Sequence, residues 1–119
     1  MTPFGERLRE LREERSMTQR DLAAAIGVSA GYLSALEHGH RGRPSWALLQ
    51  RIVGHLNIIW DDAEQLQDLA ALSDTRVVVD TTKLSSQATH LANVLASRIG
   101  DISDDKMSEI LAVLDQPEA

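Results

Sequence analysis

Apolar residues recur at three- and four-residue spacing along most of the chain, a period that predicts a succession of short helices rather than a sheet. Thr2 and Pro3, a capping side chain followed by a proline suited to the first helical position, open a segment to Ser16 in which Phe4, Leu8 and Leu11 share a face. Thr18-Gln19-Arg20-Asp21 has the form of a capping box and starts a helix of barely two turns, with Leu22 and Ile26 inward and Gly27 as its stop. Ser29 caps a third helix running through Leu33 and Leu36 to His38, with Gly39 placed for a left-handed exit. Beyond the polar loop His40-Arg41-Gly42-Arg43-Pro44, Ser45 caps a fourth helix carrying Trp46, Leu48, Leu49, Ile52, Val53 and Leu56. A fifth pattern follows Trp60, with Leu66, Leu69 and Leu72, and ends near Ser73, so a first domain is expected over residues 1–73.

Residues 74–119 follow a different plan. Val77, Val78 and Val79 are β-branched and too few for a buried helix, which predicts a short extended segment or strand. Ser85 then caps a helix striped with Ala88, Leu91, Val94, Leu95 and Ile99, Gly100 breaks it, and Ser103 caps a last helix with Met107, Ile110, Leu111 and Leu114. One strand and a two-helix hairpin leave apolar surface that must be covered. The expected cover is a second protomer, with Val77, Val78, Val79, Leu91, Leu95, Ile99, Met107, Ile110, Leu111 and Leu114 as dimerisation residues; packing of the hairpin on its own amino-terminal domain is the alternative.

Composition narrows the chemistry. With 119 residues, 43% of them apolar and 25% charged, the chain is expected to fold, either around a single compact core or as a small domain with an appendage, and not as a large multidomain enzyme. Zero cysteines remove disulfides, thiolate zinc sites and thiol catalysis, and 3% aromatic residues argue against a large aromatic-lined cofactor pocket; no cofactor is expected. No long apolar run and no basic-then-apolar leader follows Met1, so the expected location is the cytoplasm, away from membranes. The net charge of −6, taken alone, disfavours nucleic acid, but it is unevenly divided. Residues 1–57 hold eight Arg against six acids, and residues 58–119 hold four cations against twelve acids, giving +2 and −8. Such asymmetry predicts different partners for the two halves.

Within Gln19 to His38, small Ala23, the corner residue Gly27 and the inward set Leu22, Ile26, Leu33 and Leu36 are what two helices need to cross steeply over a short turn. On these residues, and on helix order from Phe4 to Asn57, the chain resembles the Xre-type helix-turn-helix family of phage repressors and Cro. The resemblance implies an all-α fold, a five-helix phage-repressor-like domain followed by the extended segment and hairpin. It also implies DNA binding through Thr18, Gln19 and Arg20 at the first motif helix, through Ser29, Ala30, Gly31, Tyr32, Ser34 and Ala35 on the recognition helix, and through His40, Arg41 and Arg43 in the following loop. Gln19 matches the position that grips a phosphate, and Arg12 and Glu37 match a structural ion pair. The chain departs from the family in offering Ala30, Gly31 and Ala35 where many members place amide or basic side chains, which leaves thymine methyl contact, Ser34 and groove shape to carry readout.

The function expected is that of a transcriptional regulator, a repressor binding double-stranded operator DNA as a homodimer. Glu37 and the acidic tail suggest RNA polymerase or another regulator as a second partner. The alternative is a protein-binding antiactivator that uses the same fold as an interaction module, a reading favoured by the small residues of the recognition face and by the net charge. No catalytic set is expected: Asp61-Asp62 and Asp104-Asp105 fall in first helical turns, where acids complement the helix dipole. His38 and His40 lack a third ligand at metal-binding spacing, so no metal is expected.

Overall fold

The computed structural model describes residues 1–117. Two compact units divide at Val77/Val78. The first contains α1 (Pro3–Glu14), α2 (Gln19–Ile26), α3 (Ala30–Glu37), α4 (Trp46–His55) and α5 (Trp60–Ala71). The second contains α6 (Ser86–Arg98), a 3-10 turn (Ile99–Asp101) and α7 (Asp104–Leu114). Among the described residues there is no strand, and the fold is all-helical.

Side-chain caps set most of the helix starts. Thr2, Thr18, Ser29, Ser45, Ser85 and Ser103 each accept the N–H of the residue three places on, satisfying one donor that the helix leaves open. At α2 the box is reciprocal, because the Asp21 carboxylate accepts from the Thr18 N–H at 3.1 Å. Gly27 and Gly39 leave their helices with φ of 77° and 78°. Three further exits or entries use positive φ without glycine, at Ser16, Asn57 and Trp60, and glycine placement gives no warning of them.

One core holds the first unit. Phe4 and Leu8 of α1, Leu22 and Ile26 of α2, Leu33 and Leu36 of α3, Ile52 of α4 and Leu66 of α5 are all at most 1% exposed. Each such side chain contributes about 1.5–3 kcal/mol relative to exposure. The α1–α3 crossing is tight: a Cβ on Gly5 would lie 2.5 Å from the Leu36 carbonyl oxygen. The two ends of the unit are tied together at Ser73, whose hydroxyl accepts from the Phe4 N–H at 3.0 Å and donates to the Leu69 carbonyl at 2.6 Å.

Two expectations need correcting here. Val77 to Val79 form no strand; a strand is made by ladder hydrogen bonds, and the described chain supplies no second strand to receive them. The break between units falls inside this valine run rather than after Ser73, because Ser73 to Thr75 run beside Gly42, near enough to lie 3.4 Å from a Cβ placed there. In the second unit neither α6 nor α7 contains a buried residue. Leu91, Ile99, Leu111 and Leu114 are 52–67% exposed, Leu95 is 39% exposed, and Met107 and Ile110 are half-buried.

Candidate nucleic-acid interface

The geometry of the site begins at the α2–α3 corner. Ala23, 2% exposed, permits close approach of the two helices, and Gly27 turns the chain while its N–H and that of Val28 both return to the Ala23 carbonyl. Arg51 reaches from α4 to donate to the Ile26 carbonyl at 2.9 Å, placing a cation at the C-terminus of α2 where the helix dipole favours it. With Leu33 and Leu36 inward, Ala30 and Gly31 are exposed, Ser34 and Ala35 are half-exposed, and together they make a smooth outer face on α3.

A buried ion pair fixes the angle of α3. Arg12 donates to both Glu37 oxygens, at 2.9 Å and 3.0 Å, and a third bond runs from its Nη1 to the Met17 carbonyl at 2.8 Å. Gln19 adds an Nε2 donation to Glu37 at 3.1 Å. One carboxylate thus joins the end of α3 to α1 and to the first residue of α2, and Arg12 extends the link to the loop after α1. Its hydrogen bonds to Glu37 hold the Arg12 guanidinium above its ordinary pKa, against a smaller opposing effect of burial. Glu37 is 1% exposed and so has no surface to offer RNA polymerase, which corrects the expectation that it reaches a second partner. Its side chain is consumed inside the domain.

The α3–α4 loop lies back along α3. The N–H groups of His40 and Arg41 both donate to the Ala35 carbonyl, at 2.9 Å and 3.3 Å, and the Arg41 guanidinium stands 5.7 Å from the centre of the Tyr32 ring. His38 closes the end of α3 through Nδ1 on the Ser34 carbonyl at 2.7 Å. Among the described residues no group of three or more metal-ligating side chains is assembled.

The arginines of the first unit differ in whether a carboxylate neutralises them. On α1 and its C-cap, Arg7 pairs with Glu10 and Glu14, Arg9 with Glu13, Arg12 with Glu37 and Arg15 with Glu14. Arg51, which donates to the Ile26 carbonyl, and Arg76, near the end of the unit, have no carboxylate within 4.0 Å among the described residues, and neither do the exposed Arg20, Arg41 and Arg43. Those three stand at the start of α2 and in the loop after α3, on either side of the motif in the chain. At the α2 N-terminus, Thr18 takes only the Asp21 N–H, leaving first-turn donors beside Arg20. Sequence reasoning did not anticipate the Gln19–Glu37 bond, the Arg51 cap or the Tyr32–Arg41 cation–π contact, since none of them leaves a spacing signal.

Two helices joined by a glycine corner, the second held by a buried ion pair with its small-residue face outward, define a helix-turn-helix protein. Residues 3–66, more than half of the chain, match the family described as a helix-turn-helix domain, and the chain belongs to that family. It is 44% identical over 61 residues to the HTH-type transcriptional repressor RghR of Bacillus subtilis (strain 168), a stretch covering 51% of this chain and 45% of the relative. It is 37% identical over 62 residues to the HTH-type transcriptional regulator RghRB of the same strain, covering 52% and 45%. With the HTH-type transcriptional regulator DdrOP3 of Deinococcus deserti it shares 46% identity over 57 residues, covering 48% and 43%. The match therefore spans a little under half the length of these relatives. The SinR protein/SinI protein complex contains a chain of similar structure, with a TM-score of 0.48 and 22% identity over 93% of both chains. Among the described residues no helix is long and apolar enough to cross a membrane.

Proposed function

We propose that this protein is a sequence-specific DNA-binding transcriptional regulator that acts as a repressor by occupying its operator. The observation that carries this reading is the segregation of arginines: those of α1 are neutralised by carboxylates, while Arg20, Arg41 and Arg43 are left uncompensated at the motif. Three such cations suit phosphates on either side of a major groove that receives α3. Thr18, Gln19 and Arg20 then grip one strand through the α2 N-terminus, and His40, Arg41 and Arg43 grip the other. Between them Ser29, Ala30, Gly31, Ser34 and Ala35 meet the groove, with Tyr32 behind Arg41 at its edge. The Gln19 amide nitrogen is engaged with Glu37, so its contribution is to fix the α2 start as well as to approach phosphate. The relatives, all HTH-type transcriptional regulators, support the same reading.

The unit beginning at Val78 is proposed as the dimerisation region. Leu91, Leu95 and Ile99 of the α6 stripe and the 3-10 turn, with Met107, Ile110, Leu111 and Leu114 of α7, have no core of their own to enter. The valines at 77–79, 64–85% exposed, add to that surface. Isologous packing of two such units covers it and presents two recognition helices to a palindrome with half-sites about 10 to 10.5 base pairs apart. The role is one of binding, without catalysis or a cofactor, carried out in the cytoplasm.

Replacing Arg43 with alanine tests the DNA reading. Binding to a selected duplex should weaken and its dependence on salt should become shallower by about one counterion. An unchanged salt slope in Arg43→Ala, Arg41→Ala and Arg20→Ala alike would contradict it. The second reading, a protein-binding antiactivator, is favoured by the apolar surface of the second unit and predicts an interaction insensitive to all three changes.

A further inference from the structure

We propose that Tyr32 is a positioning residue for the α3–α4 loop, its ring holding the Arg41 guanidinium beside α3 in the orientation in which it meets a DNA phosphate; this rests on the DNA-binding reading above. The ring is a firm platform. Tyr32 is half-buried, packs against the core of the first unit, and has its N–H tied to the Ser29 hydroxyl at 3.0 Å. The root of Arg41 is equally fixed, since its N–H and that of His40 share the Ala35 carbonyl. Between these anchors the guanidinium lies 5.7 Å from the ring centre, within reach of the negative face of the aromatic system.

No carboxylate lies within 4.0 Å of Arg41 among the described residues, so the ring is the partner that orders this cation. A guanidinium held over a ring face in this way spends none of its N–H donors on a carboxylate, which leaves them for the oxygens of a phosphate. Part of the rotamer freedom that Arg41 would lose on gripping DNA is therefore already lost in the free protein, which lowers the cost of binding. The tyrosine hydroxyl has no share in this device. Phenylalanine should replace it and an aliphatic side chain should not.

The test measures affinity, against salt, for the duplex that the full-length protein selects from a random pool, using Tyr32→Phe, Tyr32→Leu, Arg41→Ala and the Tyr32→Leu/Arg41→Ala double variant. Tyr32→Phe should bind within about twofold of wild type, and Tyr32→Leu about two- to fivefold more weakly. In the Arg41→Ala background Tyr32→Leu should have no further effect. Loss of the same size in both backgrounds, or no loss in either, overturns the positioning role while Arg43→Ala still reports on DNA binding. A wild-type protein that selects no duplex overturns the positioning role and the DNA reading together. Should Tyr32→Leu fail to fold by circular dichroism, the free wild-type protein decides. Upfield ring-current shifts of the Arg41 Cδ protons are expected, and random-coil values overturn the proposal.

Discussion

Glu37 is the buried carboxylate on which the angle of the recognition helix depends. It accepts two bonds from Arg12 and one from Gln19, and none of these partners can be removed without leaving charge or a polar group stranded. Arg12→Ala should therefore cost about 3–5 kcal/mol in urea unfolding, whereas replacing both partners together, Arg12→Met with Glu37→Leu, should cost far less. Equal losses in the single and paired variants would mean that packing, not charge, dominates the site. The glycines make a contrasting pair of predictions. A methyl group at Gly5 meets backbone carbonyls of α3 that cannot swing away, and Gly5→Ala should lose about 1–3 kcal/mol. At Gly31 a Cβ meets nothing within 4 Å, so Gly31→Ala should keep the fold and gain up to about 1 kcal/mol from helix propensity. Thermal unfolding of the two variants side by side distinguishes them, and a destabilised Gly31→Ala would show that α3 is packed differently.

At the scale of elements, the capping box of α2 links pH to the motif. Hydrogen bonds from the Thr18 N–H and hydroxyl hold the Asp21 carboxyl below its ordinary pKa. A depressed folded-state pKa adds stability that is fully present above the unfolded value of about 4 and is lost as pH falls through the folded one. Asp21→Asn should accordingly remove part of the acid-side loss of stability, and an acid limb identical to wild type would show the box open in solution. Helices of this kind are legible in sequence because their caps are declared: Thr2 with Pro3, Thr18 with Asp21, and the serines at 29, 45, 85 and 103. The inward residues Leu22, Ile26, Leu33 and Leu36 are legible for the same reason, through their period. What escapes is whatever depends on tertiary approach. Gly5 resembles any glycine until α3 crosses it, Ser73 any terminal serine until it meets Phe4, and Tyr32 a surface tyrosine until Arg41 folds over it. A valine triplet reads as a strand from propensity alone, yet a strand needs a partner that the described residues do not supply.

For the whole molecule, the two units differ in how they are stabilised. The first has a closed core from Phe4 to Ala70, while the helices of the second contain no buried residue. On the dimer proposal, the full-length protein should sediment as a dimer, and Leu95→Asp should dissociate it while the helical signal of the first unit persists; a wild-type monomer would refute the proposal. The division of charge, +2 over residues 1–57 and −8 over residues 58–119, agrees with a DNA-facing motif and an acidic region that has another task. The central claim, that α3 and its flanking arginines read DNA, is tested most directly by selecting bound sequences from a random duplex pool with the full-length protein and following the affinity of the winner against salt. The account predicts enrichment of a palindrome whose binding weakens steeply as salt rises. Recovery of no preferred sequence by protein that is folded and dimeric would contradict it.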